Sequence, residues 1–195
     1  LGLPAFALIK VFSTFFFANH DTKTPFYISL VSVILNILIS IYYFNKIGLK
    51  EKERVAAYVP NTMEAVVSFL ASSKNGLVWS SCSPDFGTEG VIDRFNQIKP
   101  KVLITCDYYF YNGKKINIIE KIPSILKKIK SIRKIIVFPY SDKFTKKINP
   151  RYIDFNSIIK SSPLDNTFKK FDFNHPLYIL YSSGTTGAPK CITHG

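Results

Sequence analysis

Three cysteines in 195 residues, Cys82, Cys106 and Cys191, form no C-x-x-C pair and supply neither a disulfide framework nor a thiolate metal site. The three histidines, His20, His175 and His194, are just as scattered. Cys191 and His194, three apart, have no second pair with which to complete a zinc shell. Arginine is scarce too: of 26 basic residues only Arg54, Arg94, Arg133 and Arg151 are arginine, and 22 are lysine. Base-reading modules depend on the guanidinium fork, so a net charge of +13 does not by itself indicate nucleic acid, and no nucleic-acid partner is expected. The densest basic stretch, 114–134, carries Ile118, Ile122, Ile125, Ile129 and Ile132 at helical spacing. That spacing predicts a solvated helix over 117–132 with one buried face, Pro123 marking its first turn.

Charge is nearly missing from the first fifty residues, which hold only Lys10, Asp21, Lys23, Lys46 and Lys50, while 51–195 hold the other 34 charges. With 47% hydrophobic residues the chain as a whole is too apolar for intrinsic disorder. It reads as two pieces, 1–47 and 48–195. Residues 24–45 contain no charge, and at about 1.5 Å per residue they span a bilayer core of roughly 30 Å. Tyr42 and Tyr43 followed by Lys46 and Lys50 read as an interfacial belt with anchors, and Asn36 needs a partner on a neighbouring helix. Residues 1–18 form a second apolar run broken by Pro4, Lys10, Ser13 and Thr14. A lysine in mid-span costs roughly 2.5–3.5 kcal/mol, so Lys10 is expected to face an aqueous cavity or a partner. A signal peptide fits poorly, because no basic segment precedes the run and the longer apolar span comes second. The missing initiator methionine is expected of an internal fragment.

The stretch GLPAFALIKVFSTFFFANHDTKTPFYISLVSVILNILIS (Gly2 to Ser40), and above all its HDTKTP turn (His20 to Pro25), resembles two late transmembrane helices of MurJ/MviN-type lipid II flippases. The resemblance implies an α-helical transmembrane hairpin over 1–47, a membrane location, and a turn on the cytoplasmic side.

From about residue 48 the periodicity changes. Strands are expected at 54–59, 77–80, 102–106 and 134–138, alternating with helices at 61–74, 88–98 and 117–132. Asn61, with Glu64 three residues on, is expected to open the first helix, and Pro100 to stop the second. The fold class is therefore α/β: a partial, doubly wound, mostly parallel sheet that takes ligands at the carboxyl ends of its strands. A further strand at 177–181 runs into YSSGTTGAPK (Tyr181 to Lys190). Gly184 and Gly187 let backbone N–H groups approach a polyphosphate, Ser182, Ser183, Thr185 and Thr186 add hydroxyls, and Lys190 adds positive charge. The spacing is not the Walker pattern, since Gly184 and Lys190 are six apart and Cys191 follows the lysine. For a generic loop of this composition, a plain Ser/Gly-rich connector is the alternative.

All ten loop positions resemble the phosphate-binding signature of the AMP-forming acyl-CoA synthetases of the adenylate-forming superfamily. VAAYVPN (Val55 to Asn61), WSSCSPDFG (Trp79 to Gly87), DRFNQIKPKVL (Asp93 to Leu103) and YNGKK (Tyr111 to Lys115) look like its acetoacetyl-CoA synthetase branch. The resemblance implies the N-terminal domain of a cytoplasmic ligase that joins acetoacetate to CoA using ATP with Mg. By the same resemblance Ser182, Ser183, Gly184, Thr185, Thr186, Gly187 and Lys190 hold the ATP phosphates. Lys114 is a weak candidate for contact with the CoA nucleotide, a solvated surface lysine being the plainer reading. The family's adenine pocket, ribose-binding aspartate, magnesium-binding glutamate and carboxy-terminal catalytic lysine have no counterpart up to Gly195, so no ligase turnover is expected of this chain. The two resemblances meet around 45–50 without a Pro/Ser/Gly-rich spacer, whereas natural fusions join through exposed linkers. The expectation is a composite of two internal fragments, with uncovered sheet edges prone to association.

Overall fold

The computed structural model describes residues 23, 27, 44, 47–139, 150–160, 169–182 and 189–195, with 159 and 160 described by backbone alone. In chain order, β1 (Arg54–Tyr58), α1 (Met63–Lys74), β2 (Val78–Cys82), α2 (Thr88–Ile98) and β3 (Val102–Cys106) come first. A hairpin of β4 (Tyr108–Tyr111) and β5 (Lys114–Asn117), then α3 (Ile122–Lys128), β6 (Lys134–Phe138), β7 (Tyr152–Asp154) and α4 (Phe155–Lys160) follow. The described chain closes with β8 (Tyr178–Ser182) and β9 (Lys190–His194).

Seven strands form one sheet in the order β7-β6-β3-β1-β2-β8-β9, parallel throughout except for the antiparallel pair β8–β9. Val55 of β1 lies opposite Trp79 of β2 on one side and Val102 of β3 on the other. All five residues of β3 and four of five in β1 are buried, the near-continuous apolar run expected of strands covered on both faces. The chain steps from β1 to β2, then crosses back to place β3 on the far side of β1. Right-handed crossovers in opposite directions put α1 and α2 on opposite faces, and α2 packs beside α3. This reversal puts the topological switch point at the carboxyl ends of β1 and β3, the position where open α/β sheets take ligands. Phe44 is 3% exposed and belongs to the core cluster, with Ile47 and Leu49 packed against it, so the core reaches back to residue 44.

Helix α2 and strands β3 and β6 form over the residues that the pattern predicts. Other expectations shift. Helix α1 begins at Met63, because the Thr62 hydroxyl, not Asn61, accepts the Ala65 N–H. The strands expected at 77–80 and 177–181 run at Val78–Cys82 and Tyr178–Ser182. The helix expected over 117–132 is largely replaced. Asn112 and Gly113 adopt φ of +46° and +73°, the left-handed pair of a two-residue hairpin turn, and fold 108–117 into β4–β5. The Asp107 carbonyl accepts the N–H groups of both Ile118 and Ile119 and seals the hairpin base. A 3₁₀ turn, Ile119–Lys121, then leads into α3, with Pro123 in its first turn as expected. Isoleucines 118, 122, 125, 129 and 132 are all buried, although only two of them lie in α3. The periodicity found the burial and overextended the helix.

The expected transmembrane hairpin lies outside the described residues, apart from the helical residues Lys23, Tyr27 and Phe44 and the helix-ending Ile47. Among the described residues no helix is long and apolar enough to cross a membrane. The two sheet ends differ. The short β7 is backed by α4, whereas all five residues of β9 are exposed, and Leu180 and Ile192 at that end are 52% and 45% exposed.

Residues 169–177 strap the amino ends of β1 and β2. Lys169 pairs with Glu51, Phe171 stacks on His175 at 4.5 Å, and His175 Nε2 donates to the Gly76 carbonyl at 3.0 Å. Gly76 sits at φ +65°, and a Cβ there would lie 2.5 Å from Phe171 Cε1. Gly76→Ala is therefore expected to lower unfolding free energy by at least about 1–2 kcal/mol from the left-handed backbone alone. A urea midpoint equal to the wild-type value would contradict this role.

Candidate functional site

A loop can cradle phosphate only if its two ends are held, and here they are. Ser182, the last residue of β8, is the register partner of Lys190, the first of β9, at the end of a five-pair ladder that begins at Tyr178 and His194. The chain therefore leaves the sheet after Ser182 and rejoins it at Lys190, both at the carboxyl end of β8. Ser182 is half-buried and Lys190 is exposed. Ser183, Gly184, Thr185, Thr186 and Gly187 lie outside the described residues.

Both flanks of the loop are pinned by residues that sequence reasoning missed. On the exit, Gln97 Nε2 of α2 donates to the Pro189 carbonyl at 2.9 Å, and the Cys191 thiol donates to Gln97 Oε1 at 3.3 Å. On the entry, Ser80 Oγ donates to the Ile179 carbonyl at 2.9 Å and lies in a hydrogen bond 3.0 Å from the Tyr181 hydroxyl. Burial pushes the Tyr181 phenol well above its ordinary range, so it stays neutral. Arg94 lies 4.1 Å from the Phe86 ring centroid and 5.7 Å from that of Tyr181, joining α2 to β8. Gln97 and its partners are more than ninety residues apart in the chain, so no local signal announces them.

The loop between β2 and α2 is ordered by three side chains near the strand-order reversal. The Tyr58 hydroxyl is shared between the carbonyls of Phe86 (2.8 Å) and Pro84 (3.1 Å), and burial raises its pKa to about 12. The Asp85 carboxylate accepts hydrogen bonds from Ser83 Oγ (2.7 Å) and the Tyr109 hydroxyl (2.8 Å), and these hold its pKa below the ordinary value. Tyr109 moves the other way, up to about 12, through desolvation and then its bond to Asp85. A carboxylate with a depressed folded pKa orders its loop fully above the unfolded value of about 3.9, and that contribution is lost as pH falls through the lower folded value. Tyr109→Phe is expected to move the Asp85 titration midpoint upward toward the usual carboxylate range. An NMR titration showing no change would remove Tyr109 from this role.

An open cleft of about 280 Å³ lies between α1 and the carboxyl end of β2, lined by Val59, Asn61, Val66, Phe69, Trp79 and Ser83 among others. Cys82 also lines it, and burial raises its thiol to about 12, which leaves it a poor nucleophile at neutral pH. On the hairpin, Lys115 holds its ammonium 3.8 Å from the Tyr108 ring centroid. Lys114 is exposed opposite Tyr111. Cys191 and His194, three apart on β9, point to opposite faces of the strand, and His194 stacks on Tyr178 at 5.1 Å. Among the described residues no three His, Cys, Asp or Glu side chains converge to hold a metal ion.

Comparison with known proteins fits this geometry. Residues 152 in number align at 43% identity with the acetoacetyl-coenzyme A synthetase of Rhizobium meliloti, covering 75% of this chain and 23% of that protein. The acetoacetyl-CoA synthetase of Gallus gallus is 42% identical over 156 residues, covering 76% of this chain and 23% of the relative. The solved acetoacetyl-CoA synthetase from Streptomyces lividans superposes with a TM-score of 0.78 at 32% identity, over 84% of this chain and 25% of that one. The chain thus spans about a quarter of the length of these relatives. Residues 1–71 match the model of the lipid II flippase MurJ, and residues 42–195 match that of the AMP-binding enzymes. The two matches overlap at 42–71, where β1 and most of α1 lie. Since β1 is hydrogen-bonded between β2 and β3, the part of that overlap from Arg54 on belongs to the α/β fold. The fold and a match over 42–195 agree, and this chain belongs to the AMP-binding enzyme family.

Proposed function

We propose that this α/β unit supplies the polyphosphate-binding loop of an ATP-dependent acid–thiol ligase that acts on acetoacetate. The observation that carries the reading is the pairing of Ser182 with Lys190, which brings the two flanks of the signature together at a strand's carboxyl end, together with similarity to acetoacetyl-CoA synthetases. In the proposed reaction an acetoacetate oxygen bonds to the α-phosphorus of Mg-ATP, and the bond to the bridging oxygen breaks to release pyrophosphate. The CoA thiol then bonds to the acyl carbon, loses its proton and displaces AMP. This chain's part is the first step. Charge grows on the departing pyrophosphate, and preorganised donors stabilise it best where they are fixed before reaction. Lys190 provides the ammonium and Ser182 the first hydroxyl, with Ser183, Gly184, Thr185, Thr186 and Gly187 as the cradle between them. Magnesium enters with ATP as part of the substrate. Lys114, exposed on the hairpin, is the proposed contact for the CoA nucleotide.

Titration with trinitrophenyl-ATP tests this reading in the full chain. Saturable fluorescence, reversed by ATP and by pyrophosphate but only weakly by AMP, is expected of a site that holds the β- and γ-phosphates. Equal competition by AMP, or no saturation, would sink it.

A second reading, of the other end of the chain, is favoured by the flippase match over 1–71 and competes with the first, because a cytoplasmic turn at 20–25 would carry the α/β unit to the side of the membrane away from ATP. The uncharged run that begins at residue 24 is proposed as a membrane-inserted helix of MurJ type. With Phe44 in the α/β core, residues 24–43 remain for the bilayer, and twenty residues at about 1.5 Å each still cover a core of roughly 30 Å. Resistance to carbonate extraction is the expected result.

A further inference from the structure

The two ends of the parallel strands differ in charge. At the carboxyl ends acids are frequent: Glu64 and Glu89 stand in the first turns of α1 and α2, Asp107 follows β3 and Asp154 ends β7. At the amino ends of β1, β3 and β6 the chain places Lys52, Arg54, Lys101, Lys130, Arg133 and Lys134, all exposed or half-exposed. Backbone hydrogen bonds gather these residues into one rim. Lys101 N–H donates to the Arg54 carbonyl at 2.9 Å, and Arg133 N–H donates to the Lys101 carbonyl at 2.8 Å. Two acids stand on the same rim: Glu51 pairs with Lys169, and Glu53 accepts the Lys50 N–H at 3.0 Å and keeps its charge, against the six basic residues. Compensation of helix dipoles explains Lys127 and Lys128 in the last turn of α3. It does not explain Lys101, Arg133 and Lys134, which lie in loops and at a strand start.

The uncharged run joins the α/β unit at this same rim, through residues 47–53 leading into the amino end of β1. We infer that the amino-end rim of the sheet, centred on Lys101, Arg133 and Lys134, docks on the surface of an anionic phospholipid bilayer. Lysine suits that partner, because a diffuse headgroup field rewards positive charge near the surface and requires no bidentate fork. The loop at the carboxyl end of β8 would then open away from the membrane. The orientation rests on the proposed insertion of residues 24–43, whereas the electrostatic contact does not.

Acetylation footprinting of the full chain separates the two. The protein is mixed with vesicles of phosphatidylcholine alone or of phosphatidylcholine with phosphatidylserine, and lysine labelling is read by mass spectrometry. On anionic vesicles Lys52, Lys101, Lys130 and Lys134 are expected to label severalfold more slowly, while Lys114 and Lys115 on the hairpin keep their rates. In about 1 M salt, where the Debye length falls to about 3 Å, the protection disappears. A Lys101→Gln, Arg133→Gln, Lys134→Gln variant is expected to lose protection at Lys52 and Lys130, each removed charge weakening anionic-vesicle affinity about fivefold. In protein that carbonate extracts, equal protection on neutral vesicles, no protection on either, or protection by added RNA but not by vesicles would overturn the inference. Carbonate extraction reports separately on insertion: a rim protected in extractable protein leaves the docking surface standing and removes the span.

Discussion

Replacing Lys190 by alanine is expected to weaken binding of ATP and pyrophosphate by about tenfold to a hundredfold, the loss that follows from removing one charge-assisted contact of about 1.5–3 kcal/mol. The side chain is exposed at the first position of β9, opposite Ser182, so its truncation leaves no cavity and breaks no ladder bond. Unfolding midpoints of variant and wild type are therefore expected to agree, which separates a lost ligand contact from a lost fold. AMP, which lacks the β- and γ-phosphates, should bind the two proteins alike. A variant with unchanged pyrophosphate affinity would remove Lys190 from the proposed cradle, and the family resemblance would then describe ancestry without activity.

The largest expected loss of stability comes from Phe95→Ala. Phe95 is fully buried on α2, the helix that packs on β1 and beside α3, and its carbonyl accepts the Lys99 N–H that ends the helix. Deleting a buried aromatic ring costs about 3–5 kcal/mol, through lost transfer energy and the cavity left behind. Domains of this kind carry only about 5–15 kcal/mol in total. The variant is thus expected to lose much or most of its cooperative unfolding transition in urea. Since α2 also carries Gln97, which holds the Pro189 carbonyl, the same substitution should weaken nucleotide binding in the fraction that remains folded. A shift smaller than about 1 kcal/mol would mean that the ring sits in a site able to collapse around its absence.

The parts of the fold that could be read from sequence are those whose signals are local. Helix α2 is bracketed by Gly87 and Pro100 and shows apolar spacing at Val91, Phe95 and Ile98, and its limits follow from those residues. Strands β3 and β6 are short β-branched runs between polar neighbours, and they too run where the pattern puts them. The hairpin β4–β5 was missed although Asn112-Gly113 is a strong turn signal. Isoleucines spaced at three and four drew the helix across 117, and the Asp107 carbonyl, which halts it, belongs to an earlier strand end. Strands β7 and β9 escaped because pairing with β6 and β8 defines them more than their own composition does, and helix α4 because packing on β6 and β7 does the same.

The candidate site divides in the same way. Ser182 and Lys190 were named from the loop's composition and its resemblance, and the structure adds that they face each other across a ladder. Gln97, Ser80 and Arg94 hold the loop's flanks through contacts that no sequence window contains. The abrupt change of composition near residue 48 was legible. That Phe44 packs into the α/β core was not, because an apolar residue at the end of an apolar run carries no mark of which core it joins.

Hydrogen exchange of the full chain with and without Mg-ATP, read by mass spectrometry on peptides covering 178–195, tests the central claim most directly. If the segment from Ser182 to Lys190 cradles the phosphates, its amides slow on adding nucleotide, pyrophosphate reproduces the effect, and peptides from the β4–β5 hairpin do not change. Protection that appears only elsewhere, or no change at 182–190 at saturating nucleotide, would contradict the assignment of this loop as the phosphate site.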